Sequence, residues 1–410
     1  QERIGQQKQR PLEVVPWARA PQETAVGAPV LRFSSFGAID VKAVEDQPLF
    51  AANAPRLYAA VGAALQGLGK AAINTNLLPR AKGSVLGQLG RWTKRSRGGD
   101  AAWGFELTAS GLKAVKLTLD AKTDAVSIAA FDVVEHASPL GAVASDTQRR
   151  DLMDETVKKF LERNPLSGEP IVLVFPGAQV LGRFFEMPPV EVKRIDDLML
   201  FEAKQQVPFP LEQLNWDYHV WFDEQEGERS PRRAMLVAAR HLHVTQRVGV
   251  WEDAGVKPQA LQCDAAALYN FYDFAVARAA QSGGSRSDVE RMPVALLDVG
   301  ADGTNLVVAG DNLMWFRSIP RGSDDLNRAL MRRFEVSFTT AEQLKRHPTK
   351  SKQVHRADDV WQPVFGQFVK DVQDSLAAYN AAHPGKPVAA VEALGGGFAV
   401  HGLHRRFLEA

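Results

Sequence analysis

The sequence lacks several features that would assign it at once to a common class of protein. Cys263 is the only cysteine, which excludes a disulfide framework or a cysteine-rich metal site and favours a reducing compartment. No apolar run is long enough to span a membrane and no signal peptide is evident, so we expect a cytoplasmic protein. The signatures G-x-x-x-x-G-K-[ST] and G-x-G-x-x-G are absent, which argues against P-loop and Rossmann nucleotide sites.

An excess of charge of one sign is also missing. Lys and Arg number 49 and Asp and Glu 48, so the formal net charge is +1. A dedicated nucleic-acid binder needs a clustered basic excess against phosphate, and this class is therefore disfavoured. With 410 residues, and 45% hydrophobic content, the chain is typical of a globular protein with two or three domains.

The rest of the chain is organised around residues 294–321. The first four of these residues are apolar, as in a strand buried on both faces, and Asp298 then leads into a turn with two glycines. Backbone amides at Gly300 and Gly303 can cradle an oxyanion, and Asp298 can hold a hydrated metal ion beside it. The alternative is that the turn is purely structural.

A second unit of the same pattern comes earlier in the chain. Its predicted strands cover residues 103–107, 112–119 and 125–134. Glu106 stands where Asp298 stands, ahead of a turn at residues 108–111. Two such units in one chain predict two similar domains that face a cleft.

The segment between the two units is predicted to form a compact α+β module. Its predicted strands cover residues 171–175, 182–187, 216–221 and 234–239, and its predicted helices cover residues 190–206 and 243–253. His241 and His243 lie beside it, but no third ligand is present at metal-binding spacing, so both are expected to be structural.

Glycines follow the last predicted strand, residues 388–394. The triplet Gly395-Gly396-Gly397 leads from this strand to a helix predicted near Gly402. A glycine triplet between a strand and a helix lets a flat ring such as adenine lie against the backbone.

Together, the two turns and the glycine triplet resemble the two phosphate motifs and the adenosine motif of the actin-like ATPase superfamily. Within it the chain is similar to the PilM family of type IV pilus assembly proteins, in the branch that also holds FtsA. The similar strings are FPGAQVLGRFFEMPPVEVKRIDDLMLFEAKQQVPFPLEQLNWDYHVW, LLDVGADGTNLVVAGDNLMWFRSIPRGSDDL and EALGGGFAVHGLHRRFL. The resemblance implies an α/β fold of two RNase H-like domains around a nucleotide cleft, with an inserted α+β module of the SHS2 type.

The resemblance also implies domain boundaries. The first domain covers residues 98–169 and is completed by residues 256–285 and 50–79, the inserted module covers 170–255, and the second domain covers 291–410 and is completed by 1–48. Residues 80–97 are expected to be a linker.

ATP and Mg²⁺ are the cofactors that the resemblance implies. The residues it places around them are Glu106, Thr108, Ser110, Gly111, Lys113, Asp298, Gly300, Asp302, Gly303, Thr304, Gly395, Gly396 and Gly397, with Asp298 and Glu106 holding the metal through water. The family motif has Asp-Ile-Gly where this chain has Glu106-Leu107-Thr108, so the metal is shifted and Thr108 adds a side chain where backbone approaches phosphate. No residue stands out as a base for water, so we expect weakened nucleotide binding and no efficient hydrolysis.

Residues 55–79 are out of the family order. They resemble the C-terminal end of PilM-like chains, yet here they precede the first turn. Joining Ala410 to Gln1 would continue the family pattern without a gap, which favours a circularly permuted order. The alternative is a tail from a preceding tandem copy.

A protein partner is implied as well: the N-terminal cytoplasmic tail of the membrane protein PilN, held in a groove by the inserted module. That tail carries an Asn-Leu-Leu-Pro type of motif, which Asn76, Leu77, Leu78 and Pro79 match within this chain. Either this segment is a PilN-like ligand carried in cis, or its leucines close the terminal helix against the core.

The implied function is a cytoplasmic scaffold of a type IV pilus or type II secretion platform, peripheral to the inner membrane through its partners. The alternatives are an active ATPase or sugar-kinase-like enzyme of the same superfamily and an FtsA-like filament former. A filament former of that kind would be favoured by an amphipathic membrane helix at the end of the chain, and residues 407–410 are too few to form one.

Overall fold

The computed structural model describes residues 26–33, 35–79, 99–222, 232–277, 292–347 and 354–400, with Leu403 and Phe407. The linker predicted at residues 80–97 and most of the helix predicted near Gly402 lie outside the described residues. The strands are β1 (Val30–Arg32), β2 (Ile39–Asp40), β3 (Ala101–Leu107), β4 (Gly111–Leu119), β5 (Val126–Glu135), β6 (Ile171–Phe175), β7 (Val180–Met187), β8 (Leu214–Val220), β9 (Arg232–Arg240), β10 (Ala260–Cys263), β11 (Val294–Val299), β12 (Thr304–Gly310), β13 (Leu313–Ile319) and β14 (Ala390–Leu394). The α-helices are α1 (Pro48–Asn53), α2 (Tyr58–Gly67), α3 (Asp146–Arg163), α4 (Ile195–Gln206), α5 (His241–Asp253), α6 (Asp264–Tyr272), α7 (Asp324–Phe334), α8 (Phe338–Arg346) and α9 (Val354–Ala382).

The two large sheets have the same arrangement of strands, and each is built around its own antiparallel hairpin. The first sheet has the order β10-β6-β3-β4-β5-β2 and the second has the order β1-β14-β11-β12-β13. In each sheet three consecutive strands pair antiparallel, and two more strands add in parallel on the other side of the first of these three. Both domains therefore have the same mixed α/β architecture, and the first sheet carries β2 as an additional edge strand.

Residues ahead of β3 contribute to both domains. β1 pairs in parallel with β14 and is the outermost strand of the second sheet. α2 lies in the core of the first domain, where a Cβ on Gly62 would come within 1.7 Å of the carbonyl oxygen of Ala267 in α6. A Cβ on Gly104 of β3 would come within 1.9 Å of the carbonyl oxygen of Ala60. The small residues of α2 thus let it lie directly between the sheet and α6.

The inserted module is smaller than the sequence predicts. Strand β6 was expected in it, but it pairs with β3 and β10 in the first sheet. Every residue of β6 is apolar and buried, which suits the interior of a parallel sheet. The module is instead the three-stranded sheet β7-β9-β8 with α4 against it, around a core that includes Met187, Met199 and Leu236.

Helix α5 also lies mostly outside the module, contrary to the sequence prediction. Val244 and Val248 belong to the core of the first domain, and Trp251 stacks on Phe105 of β3 with 4.6 Å between ring centroids. The helix begins directly after β9 of the module. It therefore connects the module to the first domain.

The two faces of the second sheet pack differently. One face is covered by α7, α8 and α9, and α9 buries Phe368, Val372 and Leu376 at helical spacing. The other face, with Leu296 and Phe316, is continuous with the core of the first domain. The two domains therefore meet through apolar contacts. None of the helices among the described residues is both long and apolar enough to cross a bilayer.

Candidate functional site

The two turns that the sequence singles out occupy equivalent places in the two sheets. Glu106 pairs with Lys113 across the β3–β4 hairpin, and Asp298 pairs with Asn305 across the β11–β12 hairpin. Each acidic residue stands two positions before its turn. The sequence prediction that Glu106 stands in the place of Asp298 agrees with this register.

Each turn is closed by a hydrogen bond from one of its own backbone amides. The amide of Gly300 donates to the carbonyl oxygen of Gly303 at 2.9 Å, and the amide of Thr108 donates to that of Gly111 at the same distance. The Thr108 hydroxyl also donates to Gly111 at 3.0 Å and lies 3.2 Å from the Ser110 hydroxyl. The amides of Gly300 and Thr108 are therefore used within their own turns.

Lys113 provides the counter-charge of Glu106. Its Nζ lies 2.9 Å from the Glu106 carboxylate, and the two side chains are only 13% and 11% exposed. A carboxylate that was expected to hold a hydrated metal ion is thus already paired with an ammonium group. Within the described residues, no group of three or more His, Cys, Asp or Glu side chains is placed to hold a metal ion.

Asp298 has no such neutralising partner on its own hairpin. Burial, and after it the nearby negative charge of Glu106, raise the pKa of its carboxyl to about 7, although the positive charge of Lys113 opposes the shift. Asp298 also lies against Gly395, where a Cβ would come within 2.2 Å of its Oδ1 and where φ is +90°. Glycine is required there both for the contact and for the backbone.

Asp264, which the sequence did not indicate, joins the two domains beside this site. Burial raises the pKa of its carboxyl to about 6, although Gly177 and Ala265 donate backbone hydrogen bonds to it. Asn305 of the second domain donates to it from Nδ2 at 2.7 Å, and Asn305 Oδ1 accepts from Ser318 Oγ at 2.8 Å. These side chains form a polar bridge across the cleft.

Arg247 was also missed by the sequence analysis. It reaches from α5 to donate to the carbonyl oxygen of Leu107 at 2.8 Å, next to the first turn. Burial lowers the pKa of its guanidinium, and Asp302, Asp264 and Glu106 counteract this in that order. Its signal was its position on the apolar face of α5, one residue before the buried Val248.

Of the remaining predicted residues, Asp302 is exposed, whereas Thr304, Gly396 and Gly397 are packed against their neighbours. The Thr304 hydroxyl donates to the carbonyl oxygen of Arg321 at 2.7 Å, and Thr304 is 2% exposed. A Cβ on Gly397 would come within 2.3 Å of the Val299 side chain, and Arg56 lies over Gly396. With both turns closed, Glu106 neutralised and Gly396 covered, the residues in this arrangement do not fit Mg²⁺–ATP.

A second candidate site is the groove that holds residues 73–78, which we call the tail segment. Leu77 donates from its amide to the carbonyl oxygen of Leu261 in β10 at 2.8 Å, and the Leu261 amide donates to Asn76 Oδ1 at 2.9 Å. The tail segment therefore runs along the free edge of the first sheet. Leu77 is 1% exposed and Leu78 partly buried, while Pro79 is exposed.

The inserted module forms the opposite wall of this groove. Asp217 of β8 accepts from the Asn76 amide at 2.8 Å, and Asn215 donates from Nδ2 to the carbonyl oxygen of Leu77 at 2.8 Å. Asn215 Oδ1 is in turn hydrogen-bonded to Nδ1 of His241, whose Nε2 contacts the carbonyl oxygen of Glu212 at 2.8 Å. His241 therefore has a structural role, as the sequence predicts.

The paired domains and the cleft between their matched turns define a class of protein, the actin-like fold. The sequence profile described as type IV pilus assembly protein PilM matches residues 104–410, which is well over half of the chain. The chain belongs to this family.

Similarity to one solved structure agrees with this fold, and two further structures are more weakly similar. A structure described as the PilM-PilN type IV pilus biogenesis complex is similar with a TM-score of 0.59 and 22% identity, covering 74% of this chain and 83% of that one. The ethanolamine utilization protein EutJ from Carboxydothermus hydrogenoformans has a TM-score of 0.36, 15% identity and coverage of 76% and 82%. MreB5 of Spiroplasma citri bound to ADP has a TM-score of 0.38, 11% identity and coverage of 74% and 86%.

Proposed function

We propose that this chain is a PilM-like scaffold of a pilus or type II secretion inner-membrane platform, and that its partner groove holds its own tail segment. The observation that carries the proposal is the set of hydrogen bonds made by Asn76. Its Oδ1 accepts from the amides of Leu261 and Leu78, and its Nδ2 donates to the carbonyl oxygen of Gln259 at 3.2 Å.

These bonds favour specific recognition over simple packing of the tail against the core. Closing α2 onto the core would require only apolar residues, whereas the groove satisfies a side-chain amide on both its donor and its acceptor atoms. The solved relative is described as a complex with PilN. The Asn-Leu-Leu-Pro resemblance of residues 76–79 to a PilN tail therefore supports a partner of that type for the same groove.

Nucleotide binding in this proposal is weakened. The support is the geometry of the cleft, where Lys113 pairs with Glu106 and the amides of Thr108 and Gly300 are used inside their turns. A scaffold that binds its partners in the cytoplasm and reaches the inner membrane through them does not need hydrolysis. ATP and Mg²⁺ would compete with these internal bonds.

The permuted chain order is part of the proposal. The matched family profile begins at residue 104, yet β1 and α2 lie before it and occupy the second sheet and the first core. If residues 26–79 were a tail left from a preceding tandem copy, they would not be needed to complete the two domains of this chain, yet β1 and α2 are parts of them. This supports a family member whose segments follow one another in a circularly permuted order.

A peptide-binding experiment tests the groove. A labelled peptide with the sequence of residues 73–79 would be titrated into the parent protein and into Asn76→Ala and Asn74→Ala variants. Asn74 is the matched control, because it is exposed and lies two residues away in the same segment. We expect Asn76→Ala to release the internal tail and bind the peptide at least about tenfold more tightly than the parent, with Asn74→Ala unchanged.

The opposite result is equally clear. If the peptide binds the parent and Asn76→Ala equally, or binds neither, the tail segment only packs against the core. The proposal that this groove binds a partner would then be wrong. Added peptide should also raise the unfolding free energy of Asn76→Ala, whose internal tail is released. Such an increase would show that the peptide fills the site that the tail segment left. A PilN-like tail peptide in place of the internal sequence would then test the partner.

A further inference from the structure

Arg56 lies at the boundary between the two domains. It ends the 3₁₀ turn Ala54–Arg56, which joins α1 to α2 in the first domain. Its Nη2 lies 3.4 Å from Ser110 Oγ in the first turn. One residue earlier, the carbonyl oxygen of Pro55 accepts from the amide of Gly395 at 3.0 Å. This short turn therefore touches both the first phosphate-type turn and the glycine triplet.

The guanidinium of Arg56 is held in place by its own domain. Asn53 Oδ1 accepts from Arg56 Nη1 at 2.7 Å, and Asn53 Nδ2 donates to the carbonyl oxygen of Leu49 at 2.9 Å. Asn53 itself is 8% exposed. Because a buried amide orients it, the planar fork of Arg56 is preorganised and does not move freely.

Gly396 is shaped to receive this side chain. A Cβ at Gly396 would lie 3.2 Å from Arg56 Nε, 3.5 Å from Cδ and 3.6 Å from Cγ. Gly395 has a positive φ, of 90°, whereas Gly396 does not have a positive φ. The absence of a side chain at Gly396 is therefore explained by the approach of Arg56 and not by backbone conformation.

We propose that Arg56 is a built-in planar cation that covers the glycine triplet, holds the cleft closed, and must be displaced before a nucleotide can bind. The triplet is the place where the sequence predicts a flat ring, and a guanidinium is a flat group with donors on its edge. Lys113 acts in the same sense beside the first turn, by neutralising Glu106. This inference deepens and rests on the part of the proposed function that concerns weakened nucleotide binding.

The test is a nucleotide titration. Mg²⁺–ATP would be titrated calorimetrically into the parent, Arg56→Gln, Arg56→Lys and the control Arg332→Gln, whose arginine is exposed on α7. We expect Arg56→Gln to bind at least about tenfold more tightly than the parent, since the planar cation that lies over Gly396 is removed from the closed state. Arg56→Lys should fall between the two, and Arg332→Gln should match the parent.

Amide hydrogen exchange gives a second reading that needs no ligand. Residues 395–397 and 108–111 should exchange faster in Arg56→Gln than in the parent, because the cleft opens more often. Exchange at the tail segment should not change. Equal or weaker Mg²⁺–ATP binding in both Arg56 variants would overturn the proposal, and weaker binding would identify Arg56 as a nucleotide contact instead.

Discussion

The two hairpin turns share a backbone and differ in chemistry. Both follow a strand whose last residue but one is acidic, and both close with the same amide-to-carbonyl hydrogen bond of 2.9 Å. Across the hairpin, however, Glu106 meets Lys113 whereas Asp298 meets Asn305. Only the first acid is neutralised by its own domain. The identity of one residue on the opposite strand therefore decides whether a repeated turn presents a free negative charge.

This difference explains how the cleft is held together. Lys113 pairs with Glu106 and also lowers the pKa of Asp298, so one cation from the first domain serves an acid in each domain. Asn305, which cannot neutralise Asp298, bonds instead to Asp264 of the first domain. In each hairpin the residue seven positions after the acid therefore makes the main contact. Lys113 bonds to the acid of its own hairpin, whereas Asn305 bonds across the cleft to Asp264.

The largest effect is expected when the charge on the first hairpin is removed. Lys113→Met leaves a buried Glu106 unpaired and should cost about 3 kcal/mol of unfolding free energy at neutral pH, measured by urea denaturation. Lys116→Met on the same strand is the control, because its pair with Glu169 is more exposed, and should cost about 1 kcal/mol. Combining Lys113→Met with Glu106→Gln should recover most of the loss; no recovery would contradict the pairing.

A second prediction concerns pH and the second hairpin. An unfolded Asp298 ionises near pH 4 and the folded one near pH 7, so its contribution to stability falls as pH rises between these values. Asp298→Asn should remove this dependence, on the order of 3 kcal/mol, when unfolding is compared at pH 5 and pH 8. Asp311→Asn, in the exposed hairpin between β12 and β13, should retain it. A parent-like pH profile in Asp298→Asn would refute the assignment.

The glycine triplet should show a graded response to added methyl groups. Gly395→Ala should lose about 2 to 3 kcal/mol, because its Cβ would meet Asp298 and φ is +90°. Gly396→Ala should lose only about 1 kcal/mol, because its Cβ would lie 3.2 Å from the nearest atom, Arg56 Nε, and φ there is not in the left-handed region. In an Arg56→Gln background the cost of Gly396→Ala should vanish, as measured in a double-mutant cycle by thermal unfolding. If the costs of Arg56→Gln and Gly396→Ala were additive instead, the two residues would not interact.

The smallest effect is expected from restoring the family residue in the first turn. Thr108→Gly removes the hydroxyl bond to Gly111 but leaves the amide bond and the Lys113–Glu106 pair. Mg²⁺–ATP affinity should therefore change by less than about threefold in calorimetry. A large gain would mean that the Thr108 side chain alone restricts the cleft, and the comparison of the two turns would need a different basis.

Much of the fold followed from local patterns in the sequence. Alternating and continuous apolar runs placed strands within a few residues of their bounds, and β6 was predicted with the bounds that the structure has. The equivalence of Glu106 and Asp298 followed from matching strand, acid and turn. These features depend on residues close together in the chain, where periodicity and glycine chemistry act directly.

Tertiary structure alone decided the sheet to which β6 belongs, the closure of both turns, and the residues that meet in the cleft. Arg56 covers Gly396 from more than 300 residues away, and Arg247 enters from a helix that the sequence placed in the module. No local sequence pattern predicts that Arg56 contacts Gly396 or that Arg247 contacts Leu107, because these contacts depend on how the parts of the chain pack in three dimensions. The sequence determined which turns and which acids are present, and the packing of the domains determined which cation each one meets.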